Sequence, residues 1–152
     1  MIPQDRSSLQ KRLGRATGDL ETPIAAVDLV AFDDNAAQLV ARAGGKPVRV
    51  ASKSVRCRQL IERVLAKPGW HGVMAYSLRE AVWLVREGVT DDVLVAYPTV
   101  DRKAIADLTS DPVLAGSIAL MVDHATHLDS NEAHSVWLGV EFLFGSHAAH
   151  SF

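Results

Sequence analysis

The chain has 152 residues and a mass of 16.4 kDa, 48% hydrophobic and 22% charged, which suits one buried core and excludes both a pair of ordinary domains and a disordered segment. A net charge of −2 excludes a global basic field for nucleic acid, although every Lys and Arg lies in residues 1–103, which carry +4, while residues 104–152 carry six acids and no base. A single cysteine, Cys57, excludes an intrachain disulfide, and the longest apolar runs are five residues against about 20 for a membrane span, so a soluble, cytoplasmic chain with no membrane partner is expected.

In chain order, Asp5 to Ala16 predicts a leading polar helix, and Ile24 to Asp28 a first strand. Phe32, Ala36, Leu39, Val40 and Ala43 then form a helical stripe that ends at Gly44-Gly45. Val48 to Lys53 predicts a strand, followed by a helix whose apolar face is Cys57, Leu60, Ile61, Val64 and Leu65, closed by Pro68-Gly69. Gly72 to Tyr76 predicts the next strand. Ser77 and Glu80 then form an S-x-x-E capping box before Leu78, Ala81, Val82 and Val85, with Gly88 as the stop. Asp92 to Tyr97 is a strand, Asp101 caps a helix carrying Ile105 and Leu108, and Ser117 to Val122 is another strand.

Several of these strands are continuously apolar, the pattern of parallel strands covered on both faces. Strand starts near 48, 72, 92 and 117 recur every 20–25 residues, an alternation that predicts an α/β fold with right-handed crossovers. Such a sheet is either open and doubly wound or part of a (β/α)8 barrel. A full barrel takes about 250 residues, so a barrel sequence of this length is half of one. From Ser130 onward the rhythm stops, and five of the six histidines fall at positions 124, 127, 134, 147 and 150. Asp123, His124, His127 and His134 have spacings at which a helix could gather a metal; in so irregular a tail they are read as coincidence, and no metal site is expected.

Lys53 is the residue to which chemistry attaches. It ends the first clear strand, in Arg49-Val50-Ala51-Ser52-Lys53-Ser54-Val55-Arg56-Cys57, and parallel α/β folds build their sites at the carboxyl ends of strands. Desolvation among Val50, Ala51 and Val55 would lower its basicity and free the amine as a nucleophile. The competing reading is a lysine that ends a strand and extends to water. Tyr76 and Tyr97, also at strand ends, would line the same cleft or stand as rim aromatics. Arg49 and Arg56 would meet a phosphate or simply be solvated.

Five segments together carry a likeness. They are Thr22-Pro23 before Val27-Asp28-Leu29, Arg49 to Ser54, Gly72 to Ser77, Val93 to Pro98, and Leu120-Met121-Val122-Asp123. In this order and spacing the chain resembles the amino-terminal part of the fold-type III pyridoxal-phosphate enzymes. That group includes alanine racemases, D-threonine aldolases and D-serine dehydratases, and the bacterial amino acid aldolase/deaminase branch is the nearest in pattern. The resemblance covers about residues 22 to 129. It implies a partial (β/α)8 barrel of four to five parallel strands over residues 1–129, with 130–152 as an irregular tail of the kind a frameshift leaves.

The resemblance further implies that Lys53 is both the catalytic residue and the cofactor-binding residue, joined to pyridoxal 5'-phosphate as a Schiff base. The cofactor's ring would serve as electron sink for a carbanion at the substrate's Cα. Lyase or isomerase chemistry on D-amino acids or β-hydroxy amino acids would follow, with Lys53 as general base when released, in a chain that pairs as a homodimer. The pattern departs where the racemases carry a tyrosine four residues after the lysine, since Cys57 stands there. The family's other phosphate loops and its divalent metal site belong to later segments with no counterpart in this chain. The expectation is a truncated fragment. A rival of another class is a small open flavodoxin-like α/β binding module with no catalytic lysine, and a third is a remnant that self-associates through open sheet edges.

Overall fold

A computed structural model describes residues 6–123 and 142–144 of the chain. The elements are α1 (Arg6–Thr17), α2 (Leu29–Arg42), β1 (Val48–Ala51), α3 (Ser52–Val55), α4 (Arg58–Leu65), β2 (Trp70–Ala75), α5 (Leu78–Arg86), β3 (Val93–Val95), α6 (Arg102–Ser110), α7 (Pro112–Ser117), β4 (Ile118–Val122) and β5 (Phe142–Phe144). They divide into two compact units, one up to Ala37 and one from Gln38 onward.

The first unit is helical. The predicted strand at Ile24 to Asp28 does not form: these residues are irregular, and Ile24 and Val27 are exposed. Asp28 explains why. Its Oδ1 accepts the Val30 and Ala31 amides at 3.0 and 3.3 Å, capping the start of α2, and its carboxylate also pairs with Arg12. An aspartate that satisfies two orphan amides at a helix start holds the backbone out of a ladder.

The second unit is α/β. Strands β1 to β4 are all parallel and lie in sequential order, with β5 paired in parallel to β4 at its far edge. A doubly wound sheet reverses its order at a switch point; among the described strands the order runs one way. Right-handed crossovers in a sequential order put every helix on the same face. The burial follows that rule. Val50, Val73, Ala75, Val93, Val95, Ile118, Leu120 and Val122 are buried, on the face packed by α4, α5 and α7. Ala51, Met74, Leu94, Ala119 and Met121 alternate with them and are only half-buried. The apolar runs that predicted strands covered equally on both faces belong to a sheet with one dry face and one half-covered face.

The helix face is closed by Ile61 and Val64 of α4, Leu78, Ala81, Val82 and Leu84 of α5, Ala104 and Leu108 of α6, and Leu114 of α7. The serine half of the S-x-x-E box and the Asp101 cap form as expected, with Ser77 Oγ accepting the Glu80 amide and Asp101 accepting the Ala104 amide. Helix α7 went unread in the sequence, although Asp111 caps Pro112 and accepts the Val113 and Leu114 amides.

One irregularity fixes the register. Val48 pairs with Trp70 but Val50 with Val73, so β2 carries an extra residue there. Gly72 sits at that bulge with φ +61°, the conformation glycine adopts without a Cβ penalty. Its backbone lies under the Arg49–Asp92 ion pair, which closes at 2.5 Å. Of the expected irregular tail from Ser130 onward, Phe142–Phe144 are described and form a strand rather than irregular chain, because they pair with β4; the rest of it and the histidine spacing from His124 onward lie outside the described residues.

Candidate functional site

The sheet brings the ends of β1, β2 and β3 side by side, in register at Ala51, Met74 and Leu94 and at Ala75 and Val95. Residues just beyond those ends therefore share one rim. Lys53 follows β1, Tyr76 follows β2, and Tyr97 follows β3 by two residues.

Lys53 is not the last residue of a strand. β1 ends at Ala51, and Ser52 to Val55 make one helical turn, closed by Arg56 in the left-handed region (φ 47°), whose amide donates to the Ser52 carbonyl at 2.8 Å. The turn has a cause in its first residue. Ser52 is fully buried, and its hydroxyl donates to Glu80 Oε2 at 2.9 Å. A buried hydroxyl needs a partner, and reaching this one takes the chain out of its extended path.

The amine of Lys53 crosses the end of β2 and donates to the Tyr97 hydroxyl at 2.7 Å, with Nζ 5.3 Å from the ring centroid. Tyr97 meets Tyr76 edge to face, with centroids 5.8 Å apart and ring planes at 64°. Both tyrosines are substantially exposed, at 55% for Tyr76 and 43% for Tyr97. The rim thus presents an ammonium and two accessible aromatic rings to solvent. Such a group suits a flat, electron-poor or anionic ring.

The electrostatics run opposite to the sequence expectation. Lys53 is exposed, and the hydrogen bond to Tyr97 raises its pKa above the ordinary lysine value, outweighing the small loss of hydration. The neighbouring apolar residues Val50 and Ala51 lie in the sheet rather than around the amine, so desolvation there is too small to set the direction of the shift.

The two arginines separate. Arg49 lies toward the N-terminal side of the sheet and is committed to Asp92, through its carboxylate and through its carbonyl at 3.4 Å. Arg56 stays with the lysine turn, its Nε donating to the Lys53 carbonyl at 3.1 Å. Cys57 immediately precedes α4 and lies beside Gln59. Among the described residues no group of three or more His, Cys, Asp or Glu could hold a metal ion. Also among them, no helix is long and apolar enough to cross a membrane. A shallow groove between α5 and α6, lined by Arg79, Trp83, Arg86 and Lys103 among others, does not include the lysine or the tyrosines.

Two participants were not singled out from sequence. Ser52 read as one more strand residue, and Glu80 as the local partner of Ser77. In a capping box the glutamate reaches back to the amide of the capping serine. Here the Glu80 carboxylate instead accepts the Tyr76 amide at 2.8 Å and the Ser52 hydroxyl, both at Oε2. The S-x-x-E spacing was the available signal, but it carries no information about a partner 28 residues away. No protein-family model and no curated protein matches this sequence.

Proposed function

We propose that the chain is the leading part of a (β/α)8 barrel of the pyridoxal-phosphate type, with Lys53 as the amine that joins the cofactor's aldehyde and with amino acids as substrates. The observation that supports this most is the position of the amine: one turn past β1, at the C-terminal rim, against the rings after β2 and β3. The sequential strand order and single helix-covered face support the barrel reading.

The residues fit one end of such a group. An accessible amine and two exposed aromatic rings suit the aldehyde and the pyridine ring. Among the described residues, Arg56 is the cation held against the lysine turn, and it would meet the phosphate, since Arg49 is occupied by Asp92. When bound, the cofactor supplies a conjugated ring that withdraws electrons from the substrate's Cα. The chain's own residues orient the amine and hold its proton: Tyr97 accepts a hydrogen bond from Nζ and so favours the ammonium. Near pH 7 an ordinary lysine is neutral in only about one molecule in a few thousand, and Tyr97 lowers that share further. Selective reaction at Lys53 therefore has to come from binding of the ring beside it.

The same preference for the ammonium favours a second reading, an α/β binding module in which Lys53 and the two tyrosines hold an anionic aromatic ligand without covalent chemistry. One experiment separates them. The protein is treated with pyridoxal phosphate, reduced with borohydride and mapped by peptide, alongside Lys53→Met. Label concentrated on Lys53 among the chain's five lysines, and lost in the variant, supports the enzyme reading. Label spread evenly over the lysines refutes it, and saturable binding without label at Lys53 leaves the binding module.

A further inference from the structure

The Glu80 carboxylate accepts from the Ser52 hydroxyl and the Tyr76 amide, and so joins two of the turns that carry the rim residues. Ser52 immediately precedes Lys53, and its hydroxyl, buried from solvent, donates to Glu80 Oε2 at 2.9 Å. The Tyr76 amide donates to the same oxygen at 2.8 Å. Glu80 is itself fixed at the third position of α5, where the Ser77 hydroxyl accepts its amide at 3.3 Å. Its side chain is therefore anchored at the base and doubly bonded at the tip. The Ser52 hydroxyl has one proton to give, and the other acceptor near it, the Met74 carbonyl, is at 3.4 Å. The carboxylate is the better acceptor on distance and on charge.

From this arrangement we infer that Glu80 is a positioning residue for Lys53: through Ser52 and the Tyr76 amide it locks the lysine turn to the end of β2, so that the amine is held against Tyr97. The inference rests on the reading of Lys53 as the reactive amine and adds the residue that aims it. Without the Ser52 link, the single turn of α3 keeps its closing amide bond, its left-handed Arg56 and the Arg56 Nε bond to the Lys53 carbonyl, all of them within the turn itself and none of them to β2. A one-turn helix has little stability of its own, and the long lysine side chain would then lose its fixed partner. One oxygen takes both bonds, so the requirement is for an acceptor rather than for a negative charge. A glutamine carbonyl placed at the same point meets it.

The test uses the whole chain and needs no cofactor. The lysines are reductively methylated with 13C-formaldehyde and titrated by NMR, with the Lys53 signal assigned from Lys53→Arg. In the wild-type protein the Lys53 signal titrates above the other lysines, and in Tyr97→Phe that displacement is lost. Glu80→Ala and Ser52→Ala each bring the midpoint back among ordinary lysines, while circular dichroism still reports a folded chain. Glu80→Gln rescues the displaced midpoint. Should Glu80→Ala not fold, Ser52→Ala carries the same comparison. A wild-type midpoint in a folded Glu80→Ala or in Ser52→Ala overturns the inference, as does a Glu80→Gln midpoint no higher than that of Glu80→Ala. These titrations stand whether or not pyridoxal phosphate labels Lys53, so failure of the enzyme reading and failure of the positioning role are separate results.

Discussion

Gly72→Ala offers the sharpest test of how this sheet is held in register. At φ +61° an L side chain costs about 1–2 kcal/mol in backbone strain. The new Cβ would also meet the Asp92 carbonyl oxygen, the Asp92 carboxylate at 2.6 Å and the Arg49 guanidinium at 2.5 Å. The two side chains can swing away, at the expense of an exposed ion pair worth roughly 0–1 kcal/mol. The carbonyl cannot, because it accepts the buried Val73 amide at 2.9 Å and so belongs to the β2–β3 ladder. Displacing it leaves a buried amide poorly paired, a further loss of about 1–3 kcal/mol. The expected total is about 3 kcal/mol, a large share of the roughly 5–15 kcal/mol that holds a domain together. With a urea slope of about 2 kcal/mol/M for a chain this size, the unfolding midpoint falls by about 1.5 M. Arg49→Ala, which removes only the movable partner, shifts it by less than about 0.5 M. Equal shifts in the two variants would refute the reasoning, because the cost would then lie in the ion pair and not in the backbone.

Other outcomes follow from single residues. Asp101 caps α6 and pairs with Arg79, and the pair holds its carboxyl below the usual carboxylate range. A lowered folded pKa contributes stability above the unfolded value that is lost as pH falls through the folded one, so urea midpoints decline on acidification and this part of the decline vanishes in Asp101→Asn. Asp101→Ala also loses the cap, and unfolds about 1 kcal/mol more readily than Asp101→Asn at neutral pH. Leu108 is fully buried beneath α6, and Leu108→Ala lowers stability by about 2–5 kcal/mol in the same assay. Lys53 titrates with the opposite sign: its raised pKa contributes stability at neutral pH that is lost as pH rises through the folded value. Tyr97→Phe removes that alkaline limb, which a difference between the two proteins' stability curves above the ordinary lysine value of 10.5 would register.

What this sequence determines unaided is whatever depends on neighbours in the chain. The stripe of Leu60, Ile61 and Val64, the caps at Ser77 and Asp101 and the runs around Val73, Val93 and Ile118 are each legible within a few residues of sequence, and each element forms where expected. Asp28 shows the limit even of local reading: the same five residues suit a strand by hydrophobicity and a cap by hydrogen bonding, and the two bonded amides decide it. Tertiary structure alone decides the rest. Which face of the sheet is dry depends on the hand of the crossovers. The basicity of Lys53 depends on a phenol 44 residues away, and the aim of its turn on a carboxylate that a local motif assigned elsewhere. Desolvation and hydrogen bonding act over a few ångströms of space, and the chain brings those ångströms together only when the parallel strands align.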